Sequence, residues 1–268
     1  MQKNLKKTGK SEKRLYSKNT FFALCYMVIV INTYNESTLH KMLKELYALE
    51  TGGKTEEKID GKICDVFAAE KNEIIEIQTG TLARLRNKIS VLTEKYAVRL
   101  VYPLVTQKTI ITYDKAGNTV SKRKSPKKQT IYSMFRELTA LYPWLLHKNF
   151  TLEVVFVHIT EIRRKTEKPV QAANKRRRFL RNWIKSDKIL NSIEKKIVFA
   201  QKDDYLKLLP PPLLLPTSEG FSVNDICKTS AEKIKKDEAS CMVWVLNKAE
   251  IIEVTKKIGR ARYYQAAK

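Results

Sequence analysis

The chain has 268 residues, 43% of them hydrophobic, which is ample for one large domain or two modest ones and excludes intrinsic disorder as the default. Lys and Arg number 52 against 28 Asp and Glu, a formal charge of +24 that exceeds any need of solubility and implies a polyanionic partner. Nucleic acid fits best, because clustered Lys and Arg release condensed counterions from phosphates; an anionic membrane surface is the weaker alternative. The four cysteines (25, 64, 227, 241) form no C-x-x-C pair and the three histidines (40, 147, 158) are dispersed, which argues against zinc and a disulfide framework and for reduced thiols in a cytoplasmic protein.

In chain order, residues 1–26 read as a basic, flexible extension. The apolar run from Phe21 to Ile31 is too short to span a bilayer and no small-residue cleavage site follows it. Met27 stands just ahead of a first strand. A helix is expected from Asn35 to about Leu49, with Leu39, Met42, Leu43 and Leu46 as its apolar stripe and Gly52-Gly53 as its stop. Two β-prone runs follow, Gly61 to Phe67 and Ile74 to Gln78, with a polar turn at Glu70-Lys71-Asn72. Leu82, Leu85, Ile89, Leu92 and Tyr96 then recur at helical spacing. Strands are expected over 97–105, 108–113 and 150–160, a turn over 114–118, a basic loop over 121–128 and a helix over 131–141. Residues 161–209 are dense in Lys and Arg and read as a basic helical segment. The prolines of 210–216 read as a linker, and 217–268 as a second unit of two helices and a hairpin.

The hairpin carries the chemistry. A turn centred between Glu70 and Lys71 pairs Asp65 directly with Glu76, and alternation puts Glu76 and Gln78 on one face with Ile75 and Ile77 on the other. Opposed carboxylates repel unless something neutralises them, and a divalent cation with oxygen ligands is the natural candidate. Asp65 followed by Glu76-x-Gln78 resembles the PD-(D/E)xK (restriction endonuclease-like) nuclease superfamily, in the variant with Gln at the usual Lys position. The family's order of helix, strand with Asp, strand with Glu-x-Lys or Gln, helix and strand matches the reading of residues 30–113. The resemblance implies an α/β domain over 27–160 with a central mixed sheet flanked by helices. It also implies Mg2+ or Mn2+ held by Asp65, Glu76 and the carbonyl of Ile77, polarising a phosphate and activating a water. Gln78 can orient that water but brings no positive charge. Glu36 is the choice for a further catalytic carboxylate, since Glu36-x-x-x-His40 puts both on one helix edge; Glu45 competes, and His40 reads as structural or solvated.

The C-terminal unit resembles a winged helix-turn-helix. Candidate phosphate contacts there are Lys233, Lys235 and Lys236 at the second helix and Lys256, Lys257, Arg260 and Arg262 at the wing. Elsewhere they are Arg84 and Lys88 on the helix after the hairpin, then Lys122, Arg123, Lys127 and Lys128, and Lys175, Arg176 and Arg177. Together these imply a Mg-dependent DNA endonuclease of restriction, repair or mobile-element biology, with no membrane partner. A non-catalytic DNA-binding regulator and an RNA-processing nuclease stay open, as does a homodimer, since cutting both strands of a duplex calls for two centres.

Overall fold

The computed structural model describes residues 36–172, 175, 177–215 and 219–267. The expected extension and first strand lie outside these, as does Arg176.

Helix α1, Thr38–Thr51, starts at Ser37, whose side chain accepts from the His40 N–H, and ends at Gly52 in the left-handed region (φ 66°), where a Cβ would be strained. Leu39, Met42, Leu43 and Tyr47 are its buried stripe; Tyr47 takes the place expected for Leu46, because 39, 43 and 47 repeat every four residues. A second cap comes from far along the chain. The Thr38 N–H donates to Asp187 Oδ1 at 2.9 Å and the Thr38 hydroxyl donates to Asp187 Oδ2. Asp187→Ala is expected to cost about 1 kcal/mol, read as a lower urea midpoint. An unchanged midpoint would mean that this cap adds nothing to the docking of α1.

Strand β1 (Lys54–Ile59) was not anticipated: KTEEKI is mostly exposed and has no apolar alternation, and only its pairing to β2 makes it a strand. β2 (Lys62–Ala68) and β3 (Glu73–Ile77) flank a tight 3-10 turn, Ala69–Lys71, closed by Asn72 at φ 47°. Their register, Val66 with Ile75, Phe67 with Ile74 and Ala68 with Glu73, is the expected one. A 3-10 turn, Leu82–Leu85, leads into α2 (Arg86–Leu92). β4 is one strand, Ala97–Tyr113, with an irregularity between Val105 and Gln107 where two strands were expected. β5 (Thr119–Lys124) takes up half of the expected basic loop as an exposed strand. The expected helix over 131–141 is a 3-10 turn, Ile131–Met134, followed by the single-turn α3, Phe135–Leu138.

The largest correction falls on residues 161–209. β6 runs through Phe150–Val170 and β7 through Arg181–Phe199, so most of the expected helical segment is an antiparallel strand pair. Lys and Arg are good helix formers, but that preference amounts to only tenths of a kcal/mol per residue. Here it yields to ladder pairing, with long side chains laying their stems on the sheet.

The seven-stranded sheet has the order β1-β2-β3-β4-β6-β7. β3, β4 and β6 are mutually parallel, the other pairs antiparallel, and β3 and β5 share one edge of β4 at its two ends. One face packs on α1. The other builds a cluster from Ile74, Leu100, Leu152 and Val154 together with Leu82, Ile89, Phe135 and Leu138.

That same cluster includes Phe221, Ile226, Val243, Leu246 and Tyr264. Ile226 belongs to α5 (Val223–Thr229), Val243 and Leu246 to α6 (Lys236–Lys248) and Tyr264 to β9 (Ala261–Ala266), the partner of β8 (Ile252–Ile258); Phe221 stands ahead of α5 and bridges to Tyr264, and α4 (Lys202–Leu206) precedes them all. Ser222 caps α5 through a reciprocal box with Asp225, as its place in the sequence suggests. Trp244 meets Tyr142 edge to face at 5.6 Å. The prolines of 210–216 therefore punctuate the chain without separating two cores, and from Glu36 onward the chain is one compact unit. No helix among the described residues is long and apolar enough to cross a membrane.

Candidate active site on the β2–β3 hairpin

Asp65 and Glu76 are the next residues beyond Val66 and Ile75, the last pair of the β2–β3 ladder, whose register the short 3-10 turn sets. The Asp65 N–H donates to Glu76 Oε1 at 3.4 Å, and the Ile77 N–H donates to Asp65 Oδ2 at 2.8 Å. Two carboxylates brought this near one another in a mostly buried setting repel. The protein answers each with a cation from a different side of the sheet.

On the α1 side, His40 Nε2 donates to the carbonyl of Ile77 at 2.7 Å and lies 3.4 Å from Asp65 Oδ2. Its Nδ1 meets Glu36, which also accepts from Lys44 Nζ at 3.1 Å. Burial alone would lower the His40 pKa, but Asp65 and Glu36 outweigh it and raise it to about 9, so the ring is an imidazolium at neutral pH. Burial would raise the carboxyl of Asp65, and His40, the Ile77 N–H and Lys88 hold it below its ordinary value instead. Glu36 is lowered in the same way by His40 and Lys44 against its own burial.

On the α2 side, Lys88 Nζ lies 2.6 Å from Glu76 Oε2 and also reaches the carbonyl of Ile63. The Glu76 side chain is only 3% exposed. Its burial, added to the charge of Asp65, lifts its pKa to about 7 despite Lys88. Cys64 beside it is pushed by burial to about 11 and is no nucleophile.

Burial of a carboxylate does not by itself mark a site in this fold. Glu73 and Glu153 are also buried, but both lie on Arg99, at 2.8 and 3.2 Å, and Glu153 gains Tyr47 and Lys196 as well. What distinguishes Asp65 and Glu76 is that they face one another at the end of a central strand.

Of the expected catalytic residues, Glu36, Asp65 and Glu76 join one connected cluster. The Gln78 side chain does not: its Oε1 accepts from the Gly80 N–H at 3.1 Å and braces its own loop. Glu45 pairs with Lys41 at 3.9 Å instead. His40, expected to be structural or solvated, lies at the centre. Lys88, expected to contact phosphate, is an internal partner of Glu76. Its position three residues after buried Leu85 and four before buried Leu92 was the readable signal, since it puts Lys88 on the inward stripe of α2.

The other expected phosphate contacts are spread over the surface. Arg84, Lys122, Arg123, Lys127, Lys128, Lys175, Lys233, Lys235, Lys236, Lys257, Arg260 and Arg262 are exposed. Lys256 pairs with Glu219 at 2.8 Å, and the Arg177 guanidinium stacks 4.1 Å from the Trp183 ring centre.

A divalent cation would find oxygen donors in Asp65, Glu76 and the Ile77 carbonyl, the donor type that Mg2+ prefers. Among the described residues no three His, Cys, Asp or Glu side chains are grouped to hold a metal, so the third ligand would be that carbonyl. The donor chemistry fits, provided His40 and Lys88 yield their present places.

Comparison with known proteins adds family but not activity. Residues 37–200 match the family described as "Domain of unknown function (DUF8091)". A protein of Treponema pallidum (strain Nichols), described as "Uncharacterized protein", is 30% identical over 201 residues, 75% of each chain. No solved structure matches. The matched span runs from the cap of α1 to the end of β7 and so contains the whole seven-stranded sheet and His40, Asp65, Glu76 and Lys88 of the cluster, with Glu36 one residue ahead of it. The chain belongs to the DUF8091 family.

Proposed function

We propose that this chain is a metal-dependent nuclease acting on DNA, with a restriction endonuclease-like core and a C-terminal winged-helix-like unit that caps it. One observation carries the reading: Asp65 and Glu76 are joined at the end of the β2–β3 ladder, the Asp65 N–H donating to Glu76 Oε1, and are flanked by an imidazolium and an ammonium. The succession α1, β2 with Asp65, β3 with Glu76, Gln78 just past its end, α2 and β4 supports it, as does the charge of +24.

A Mg2+ or Mn2+ ion held by Asp65, Glu76 and the Ile77 carbonyl would supply phosphate polarisation and an acidified water. The rest falls to the chain itself. Lys88 supplies the positive charge that Gln78 lacks, from a helix instead of a strand, and can meet the negative charge that builds on a phosphorane-like transition state. Glu36 orients His40, whose imidazolium keeps Asp65 ionised.

A non-catalytic DNA-binding regulator is the second reading. It is favoured by the fact that His40 and Lys88 already neutralise both carboxylates. Plasmid and linear duplex incubated with Mg2+ or Mn2+ separate the two. Cleavage by the natural chain that vanishes in both Asp65→Ala and Glu76→Ala is expected; cleavage that survives both substitutions defeats the assignment, and binding without cleavage under either metal selects the regulator.

A further inference from the structure

A cationic cluster lies away from the hairpin, on the outer halves of β4, β6 and β7. Glu161, only 2% exposed, is met by Lys108 Nζ from β4 at 3.3 Å, Arg163 from β6 at 2.6 Å and Lys185 Nζ from β7 at 3.2 Å. Lys188 stands directly opposite Glu161 in the β6–β7 register. Arg163 also stacks 3.5 Å from the centre of the Trp183 ring, which Arg177 approaches too, and Arg177 donates to the carbonyls of Val170 and Trp183 at 3.3 and 3.2 Å. Three adjacent strands thus hold their cations in fixed positions around one carboxylate.

We infer that this cluster is a phosphate-backbone binding site for a nucleic-acid strand, organised by Glu161. Four cations face a single carboxylate, so the site keeps a surplus of positive charge that an anion would relieve. Lys188 reports that surplus: burial, then repulsion from Lys185 and Lys108, holds its pKa below the ordinary lysine value. Glu161 spreads its charge over the three nearest cations and keeps them convergent. The surplus also continues on the same face of the sheet, through Arg123 of β5, in register with Ile110 and Glu161, and through Lys165 two residues beyond Arg163 on β6. A row of cations across strands on one face matches a linear polyanion better than an isolated phosphate. The inference rests on the nucleic-acid part of the reading above and is independent of cleavage.

Binding of a fluorescein-labelled DNA duplex, and of one of its single strands, is measured by anisotropy in EDTA across a salt series. EDTA removes cleavage from the readout, so a failure here is distinct from a failure of the hairpin site. Lys185→Ala/Lys188→Ala is expected to lose about tenfold in affinity and to flatten the salt slope by about two contacts. Lys54→Ala/Lys58→Ala, an equal charge change on exposed β1, is expected to lose less than about twofold. Equal losses in the two pairs would reduce the effect to net charge and overturn the site, as would an unchanged slope in the first pair. Phosphatidylserine vesicles test the other polyanion, because Phe179 and Leu180 are exposed close to the cluster. Loss of vesicle binding with DNA binding intact would overturn the nucleic-acid assignment. Should the double variant melt early, Lys185→Ala alone, at a side chain 47% exposed, carries the same comparison with about a threefold loss.

Discussion

In a Lys88→Met chain, metal-dependent DNA cleavage is expected to fall at least about a hundredfold, while duplex affinity in EDTA changes less than about threefold. A hundredfold is about 2.7 kcal/mol of transition-state stabilisation, the ordinary weight of one fixed charge-assisted donor in a dry site. The ammonium touches Glu76 Oε2 at 2.6 Å and is mostly enclosed, so its removal leaves ground-state DNA binding almost unaltered. Equal falls in cleavage and affinity would return Lys88 to the role of an ordinary phosphate contact. Unchanged cleavage would remove it from the mechanism.

Unfolding free energy is expected to be greatest near pH 5 and to fall by about 3 to 5 kcal/mol by pH 9. Two groups dominate that limb. Glu76 has its pKa raised to about 7, so the folded chain holds this proton more tightly than the unfolded one. Its contribution is complete below the ordinary glutamate range and is lost as pH rises through 7. His40, raised to about 9, contributes in full below the ordinary histidine value and loses it as pH rises through 9. Each is worth about 3 kcal/mol when taken alone, and the His40 contribution includes its pairing with Asp65. Asp65 and Glu36, both lowered, act in the opposite direction: their stabilisation is present at neutral pH and fades below about pH 4. Urea midpoints at pH 5, 7 and 9 measure the limb. Glu76→Gln is expected to flatten it around pH 7, and His40→Asn between pH 7 and 9. A natural chain equally stable at pH 5 and pH 9 would show that neither group is held as described.

The hairpin was legible because β-prone runs, a polar turn and period-two alternation decide which residues face each other locally; Asp65 opposite Glu76 needed no distant information. The same holds for the helix stop at Gly52, where one φ angle decides. The strands of 161–199 were not legible, since a Lys-rich run has no apolar periodicity and becomes a strand only when β4 and β6 offer it a ladder. β1 was missed for the same reason.

Charge, composition and local pairing thus determined from sequence that this is a basic α/β protein with two opposed carboxylates on one hairpin. Tertiary structure alone decided what neutralises them. His40 arrives from α1 and Lys88 from α2, on opposite sides of the sheet, while Gln78, adjacent in sequence, turns away to Gly80. A cation's energy depends on the through-space distance to its carboxylate, and that distance is set by how helices pack on a sheet, a quantity no spacing along the chain contains.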